Sequence, residues 1–161
     1  MSLLEYAAPF DTLSICFSKS LGCPIGSVVV GSAKIIQRAK HFRKLFGGGW
    51  RQAGVLASAA LYALDHHWDR LAEDHEVACY LRDQLVALGF EEDILTQTNQ
   101  VWLSSKQLGV TFTELSSFCR KAGILLPQGN TLCRLVTHLQ TSKESCDVLL
   151  NVVQDHLLSR R

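Results

Sequence analysis

The chain has 161 residues, 47% of them apolar and 19% charged, which suffices for one ordinary domain or a pair of small ones with a real core. With 16 Lys and Arg against 15 Asp and Glu, the net charge is +1, so no global electrostatic drive toward nucleic acid or an anionic membrane exists. The six cysteines form no Cys-x-x-Cys pair and lie mostly in apolar runs, which reads as reduced, partly buried thiols and excludes a structural zinc.

The first ten residues lack a basic region and a cleavable signal pattern, so a reducing, soluble, cytoplasmic setting is expected. Residues 12–17 alternate as a strand, residues 26–31 form a second, and the Gly22-Cys-Pro24 turn between them makes antiparallel neighbours. From Ser32, an N-cap, residues 33–46 place Ile35, Ala39, Phe42 and Phe46 at helical spacing, and Gly47-Gly-Gly49 ends that helix. Residues 52–64 predict one helix and a pattern running from Trp68 to Leu88 a second, together a long helical arm with room for a kink between them. Its apolar stretch of residues 54–64 is too short and alanine-rich to span a bilayer.

Beyond Gly89 the pattern predicts β-α-β-β-α, with strands at residues 101–104, 124–126 and 132–136 and a helix at residues 111–122. A last helix opens on Thr141-Ser-Lys-Glu144, a capping-box match, and aligns Cys146, Leu149, Leu150, Val153 and Leu157 on one face. The expected domains are residues 1–64 and residues 65–161, in an α/β to α+β class.

Chemistry concentrates at a few positions. Lys19 follows a strand and sits among Ser18, Ser20 and Gly22. That is a small-residue turn, suited to an imine-forming lysine and to close approach by a phosphate, although on exposure statistics alone it is a solvated lysine. The Gly47-Gly-Gly-Trp-Arg51 segment before a helix serves equally as an anion site or as a linker. Arg134, in a half-buried strand pattern, is either an edge-strand arginine facing water or a guanidinium fork for a carboxylate. The basic positions Lys34, Arg38, Lys40, Arg43 and Lys44 lack interleaved aromatics and read as a solvated face. His66 and His67 diverge on a helix and read as junction polar residues, while His138 fits a site or a loop.

Three segments together, Ser14-x-Cys16-Phe-Ser-Lys19-x-Leu-Gly22-x-Pro-x-Gly-Ser27, Arg43-Lys-x-x-Gly-Gly-Gly-x-Arg51-Gln-x-Gly54 and Arg134-Leu-Val-Thr-His138, closely resemble the low-specificity L-threonine aldolases. The resemblance implies the C-terminal part of a fold-type I, aspartate-aminotransferase-like enzyme dependent on pyridoxal 5'-phosphate. The expected architecture is a large-domain remnant followed by a helical arm and a small α+β domain. The implied activity is cleavage of L-threonine or L-allo-threonine to glycine and acetaldehyde through an external aldimine.

By the same resemblance Lys19 would hold the cofactor, with Ser18 assisting, and Arg51 would meet its phosphate, commonly across a subunit interface. Arg134 would bind the substrate carboxylate. The implied partners are the amino-acid substrate and further subunits, either a homo-oligomer of the family's tetrameric kind or full-length subunits; neither nucleic acid nor a membrane is expected. Ser20 and Trp50 stand where the family usually has glycine and methionine. Its glycine/threonine phosphate loop, ring-stacking histidine and pyridine-pairing aspartate have no counterparts here. Negligible threonine cleavage by this chain alone is therefore expected, and the alternative is a truncated, non-catalytic product that keeps oligomer contacts.

Overall fold

The computed structural model describes residues 2–160, which separate into two compact units, Met1–Asp69 and Arg70–Arg161. The first begins with α1 (Leu3–Ala7), followed by a hairpin of β1 (Thr12–Cys16) and β2 (Ser27–Gly31). The hairpin is antiparallel and in unbroken register from Thr12 opposite Gly31 to Cys16 opposite Ser27. Helix α2 (Ala33–Leu45) starts where the Ser32 hydroxyl accepts the Ile35 amide. It stops where Gly47 adopts a φ of 79°, a left-handed conformation that glycine enters without steric cost. Phe42 and Phe46 on its apolar stripe are exposed, Phe46 at 82%.

Helix α3 (Gly54–His66) and helix α4 (Leu71–Ala87) correspond to the two helical patterns of the expected arm, and the chain breaks between them. The helical hydrogen bonding closes with the His67 amide on the Ala63 carbonyl and resumes with the Glu73 amide on the Arg70 carbonyl. The chain between them turns, and the boundary between the two units falls there.

The second unit is β3 (Glu91–Ile94), β4 (Gln100–Ser104), α5 (Phe112–Lys121), β5 (Leu132–Val136) and α6 (Lys143–Ser159), in addition to α4. Its sheet has the order β3-β4-β5, antiparallel throughout. Two expectations fail here. Residues 124–126 form no strand, because the Ile124 amide donates to the Cys119 carbonyl and the Leu126 carbonyl accepts the Ser116 hydroxyl, so α5 takes their backbone groups. Conversely, the acidic β3 has no apolar alternation to announce it; it is an edge strand that borrows its ladder from β4. The cap of α6 also moves one residue, from Thr141 to Ser142, whose side chain pairs with Ser145.

Alternation along the central strand places Val101 and Leu103 on a buried face, where α4, α5 and α6 contribute Ala78, Leu81, Leu115, Cys119, Cys146 and Val153. Each fully buried aliphatic side chain contributes about 1.5–3 kcal/mol relative to exposure. Burial pushes the Cys133 thiol up to about 11 and raises those of Cys119 and Cys146, so these act as small apolar residues. All six cysteines are free, and Cys16 is exposed.

Candidate functional site

Lys19 stands in the turn joining β1 to β2. Phe17, Leu21 and Cys23 are buried, while Ser18, Lys19 and Gly22 are exposed. The Gly22 amide donates to the Lys19 carbonyl at 2.8 Å, and Gly22 has a φ of 75°, which closes the turn tightly. The Cys23 amide reaches back to the Phe17 carbonyl at 3.1 Å. Two bonds from one helix meet the same turn: the Cys23 thiol donates to the Ala59 carbonyl at 3.5 Å, and His67 Nδ1 lies 2.7 Å from the Leu21 carbonyl. Among the described residues no carboxylate forms an ion pair with Lys19, so its amine is not held by a counter-charge.

Arg51 is exposed and precedes the opposite end of α3. Beside it Gln52 has a φ of 57°, a left-handed conformation rarely adopted outside glycine. The first turn of α3 has no side-chain cap, in contrast to α2, α5 and α6. The Val55 and Leu56 amides of that turn donate instead to the Gln52 and Ala53 carbonyls. A cavity of about 500 Å³ in the same unit is lined by Phe17, Val28, Trp50, Leu56, Ala60 and Leu64, with Arg43 as its charged member. Neither Lys19 nor Arg51 lines it.

In the second unit, Arg134 lies exposed on the edge strand β5, directly opposite Trp102 of β4, with its guanidinium 5.7 Å from the ring centroid. A cavity of about 430 Å³ opens beside it, lined by Leu81, Ile124, Leu126, Thr137, Cys146 and Leu149 among others. The strand end is tied down by the Thr137 hydroxyl, which donates to the Asp74 carbonyl at 2.6 Å, and by Asn99, which bonds the Thr137 carbonyl. His138 is exposed, its amide bonded to the Thr141 hydroxyl and its Nδ1 accepting the Gln140 amide.

Thus Ser18 and Lys19 share one exposed turn, Arg51 stands at the far end of the helix that grips that turn, and Arg134 belongs to the other unit. Sequence reasoning missed His67 and Trp102 as neighbours of these positions; only hairpin geometry and strand register bring them there. Among the described residues there is no His/Cys/Asp/Glu cluster able to hold a metal, and no helix is long and apolar enough to cross a membrane.

A pyridoxal phosphate molecule requires an accessible amine, polar donors near it and a cation for its phosphate. The exposed Lys19 amine and the Ser18 hydroxyl share one turn and fit the aldehyde end of such a molecule, whereas the exposed Arg51 guanidinium stands beyond the other end of α3 and does not join them within this chain.

The beta-eliminating lyase family matches residues 1–107. A Schizosaccharomyces pombe protein described as a probable low-specificity L-threonine aldolase is 36% identical over 154 residues, which are 96% of this chain and 39% of that protein. The low specificity L-threonine aldolase of Escherichia coli K12 is 40% identical over 143 residues, 88% of this chain and 41% of its own length. The chain therefore spans about two fifths of the length of the curated relatives it matches. Among solved structures, an Exiguobacterium sp. 255-15 protein of the aromatic amino acid beta-eliminating lyase/threonine aldolase type superposes with a TM-score of 0.74 at 19% identity. It covers 96% of this chain and 47% of that one. The fold is that of a portion of the fold-type I, aspartate-aminotransferase-like enzymes. The chain belongs to the beta-eliminating lyase family.

Proposed function

We propose that this chain provides the lysine and the anion-binding arginines of a pyridoxal-phosphate-dependent carbon–carbon lyase of threonine-aldolase type, acting as part of a longer enzyme. Its substrates are L-threonine or L-allo-threonine and its products glycine and acetaldehyde, in a cytoplasmic setting. The observation that carries this reading is the Lys19 turn, held rigidly from behind while its amine stays exposed and unpaired. When bound, the cofactor supplies an aldehyde that condenses with amines and a ring that accepts the electrons of the broken bond.

The chain's own residues then have separate tasks. Lys19 holds the cofactor and Ser18 donates a hydrogen bond beside it. Arg134 grips the substrate carboxylate through two parallel hydrogen bonds, a geometry a lysine does not reproduce, and so fixes which substrate bond is aligned for cleavage. Arg51 neutralises phosphate through its guanidinium. Helix α3 has 13 residues and is therefore about 20 Å long. The Lys19 turn is held from mid-helix at Ala59 and from the C-cap His67, while Arg51 precedes the N-terminus, a separation that favours Arg51 serving the cofactor of a second subunit. Oligomers follow, either of like chains or with longer subunits. In this reading residues 1–64 belong to the cofactor-binding large domain and residues 65–161 to an arm and small α+β domain.

The test is to add pyridoxal phosphate to the purified chain and to its Lys19→Ala variant. A change in cofactor absorbance present only with Lys19 is expected, with negligible threonine cleavage by the chain alone. An absorbance change identical in both proteins, or threonine turnover that survives Lys19→Ala, overturns the assignment.

A further inference from the structure

We propose that His67 is a positioning residue for Lys19: its imidazole holds the turn so that the amine projects in one fixed direction. This rests on the reading of Lys19 as the cofactor lysine, but the geometry that carries it is independent of that reading. The buried side chains of Phe17, Leu21 and Cys23 decide which side of the turn faces inward. Apolar contact is non-directional, however, and leaves the turn free to rock. Direction requires hydrogen bonds, and one that reaches the turn from outside it runs from His67 to Leu21 at 2.7 Å, spanning 46 residues.

A carbonyl oxygen only accepts, so Nδ1 of His67 carries a proton and the ring is fixed in that tautomer or as imidazolium. The ring itself is held from two sides. The His67 amide is bonded to the Ala63 carbonyl, anchoring its backbone to α3, and the Tyr62 ring packs edge-on at 5.5 Å and 86°. The second tie, the Cys23 thiol on the Ala59 carbonyl, meets the helix eight residues earlier, about 12 Å along its axis. Two ties so far apart on one rigid rod suppress rotation of the turn, which neither would do alone.

The experiment compares the full chain with His67→Phe, which keeps a ring without a donor, and His67→Asn, whose amide restores a donor near the Nδ1 position. Hydrogen exchange at the Gly22 amide reads the turn directly. Loss of a neutral hydrogen bond of this kind should speed exchange in His67→Phe by roughly five- to tenfold, with recovery in His67→Asn. Reductive trapping of pyridoxal phosphate by borohydride, resolved by peptide mass, then compares Lys19 with the exposed Lys34 and Lys40 of α2. Preference for Lys19 should fall in His67→Phe and return in His67→Asn. Should His67→Phe fail to fold, His67→Leu replaces it as the donor-free variant. Equal trapping at all three lysines in the unsubstituted chain overturns the cofactor reading of Lys19. Selective trapping at Lys19 and Gly22 exchange that both ignore the substitutions overturn the positioning role alone.

Discussion

The two units differ in what their apolar residues achieve. In the second, Leu103, Leu115, Val101 and Val153 are almost completely buried around one cluster shared by the sheet and three helices. In the first, every residue of β2 is exposed, Val28, Val29 and Val30 at 41 to 52%, and Leu4, Phe46 and Val55 are more exposed still. A run of three valines is the pattern of a strand covered on both faces. Here it has one partner strand and no buried face within its own unit. Lys19, Ser18 and Arg51 all sit in this thinly covered unit, where α3 and its C-cap tie the Lys19 turn through Cys23 and Leu21. Local hydrogen bonds to a turn therefore do not require a large core around it.

The largest expected contrast comes from core truncation. Leu115→Ala should cost about 2–5 kcal/mol in urea unfolding, whereas Val29→Ala, already half exposed, should cost less than about 1 kcal/mol. Equal costs would erase the distinction between the units. Hydrogen exchange should show amides of α4, β4 and α6 protected at least about a hundredfold more than those of β1 and β2, and uniform protection across both units would contradict it.

A finer contrast concerns polar ties. Thr137→Val removes the donor to the buried Asp74 carbonyl and should cost about 1–3 kcal/mol, measurable by thermal unfolding. It should also loosen β5 beside Arg134, seen as faster exchange at the Thr137 amide. The smallest effect is acid sensitivity. Burial pushes the Glu92 carboxyl up, but the Thr96 amide and the Arg82 guanidinium outweigh it and hold the group below its ordinary value. A carboxyl depressed in the folded state contributes stability at pH values above its unfolded value and loses it as pH falls through the folded one. Glu92→Gln should therefore flatten the decline of the second unit's stability below roughly pH 4.5, and leave that of the first unchanged. An identical acid limb in the variant would remove Glu92 from the account.

Much of the local structure was legible. Ser32 caps a helix through its own side chain, Gly47 ends that helix, and the alternation at residues 12–16 yields a strand. Where reading failed, a neighbour supplied or withdrew hydrogen bonds. Acidic β3 is a strand because β4 pairs with it, and Ile124–Leu126 is not one because α5 occupies its backbone. The spacing of Phe42 and Phe46 marked an apolar stripe without saying whether anything covers it, and both are exposed.

The candidate site divides in the same way. The sequence alone determined that Lys19 occupies a small-residue turn after a strand, that Arg51 stands before a helix and that Arg134 lies in a strand, because turns, caps and alternation depend on residues a few positions apart. Tertiary structure decided that His67 bonds the Leu21 carbonyl beside Lys19 and that Trp102 faces Arg134. Those pairings depend on how a hairpin lies on a helix and on the register of two strands, and neither quantity is written in any short stretch of chain.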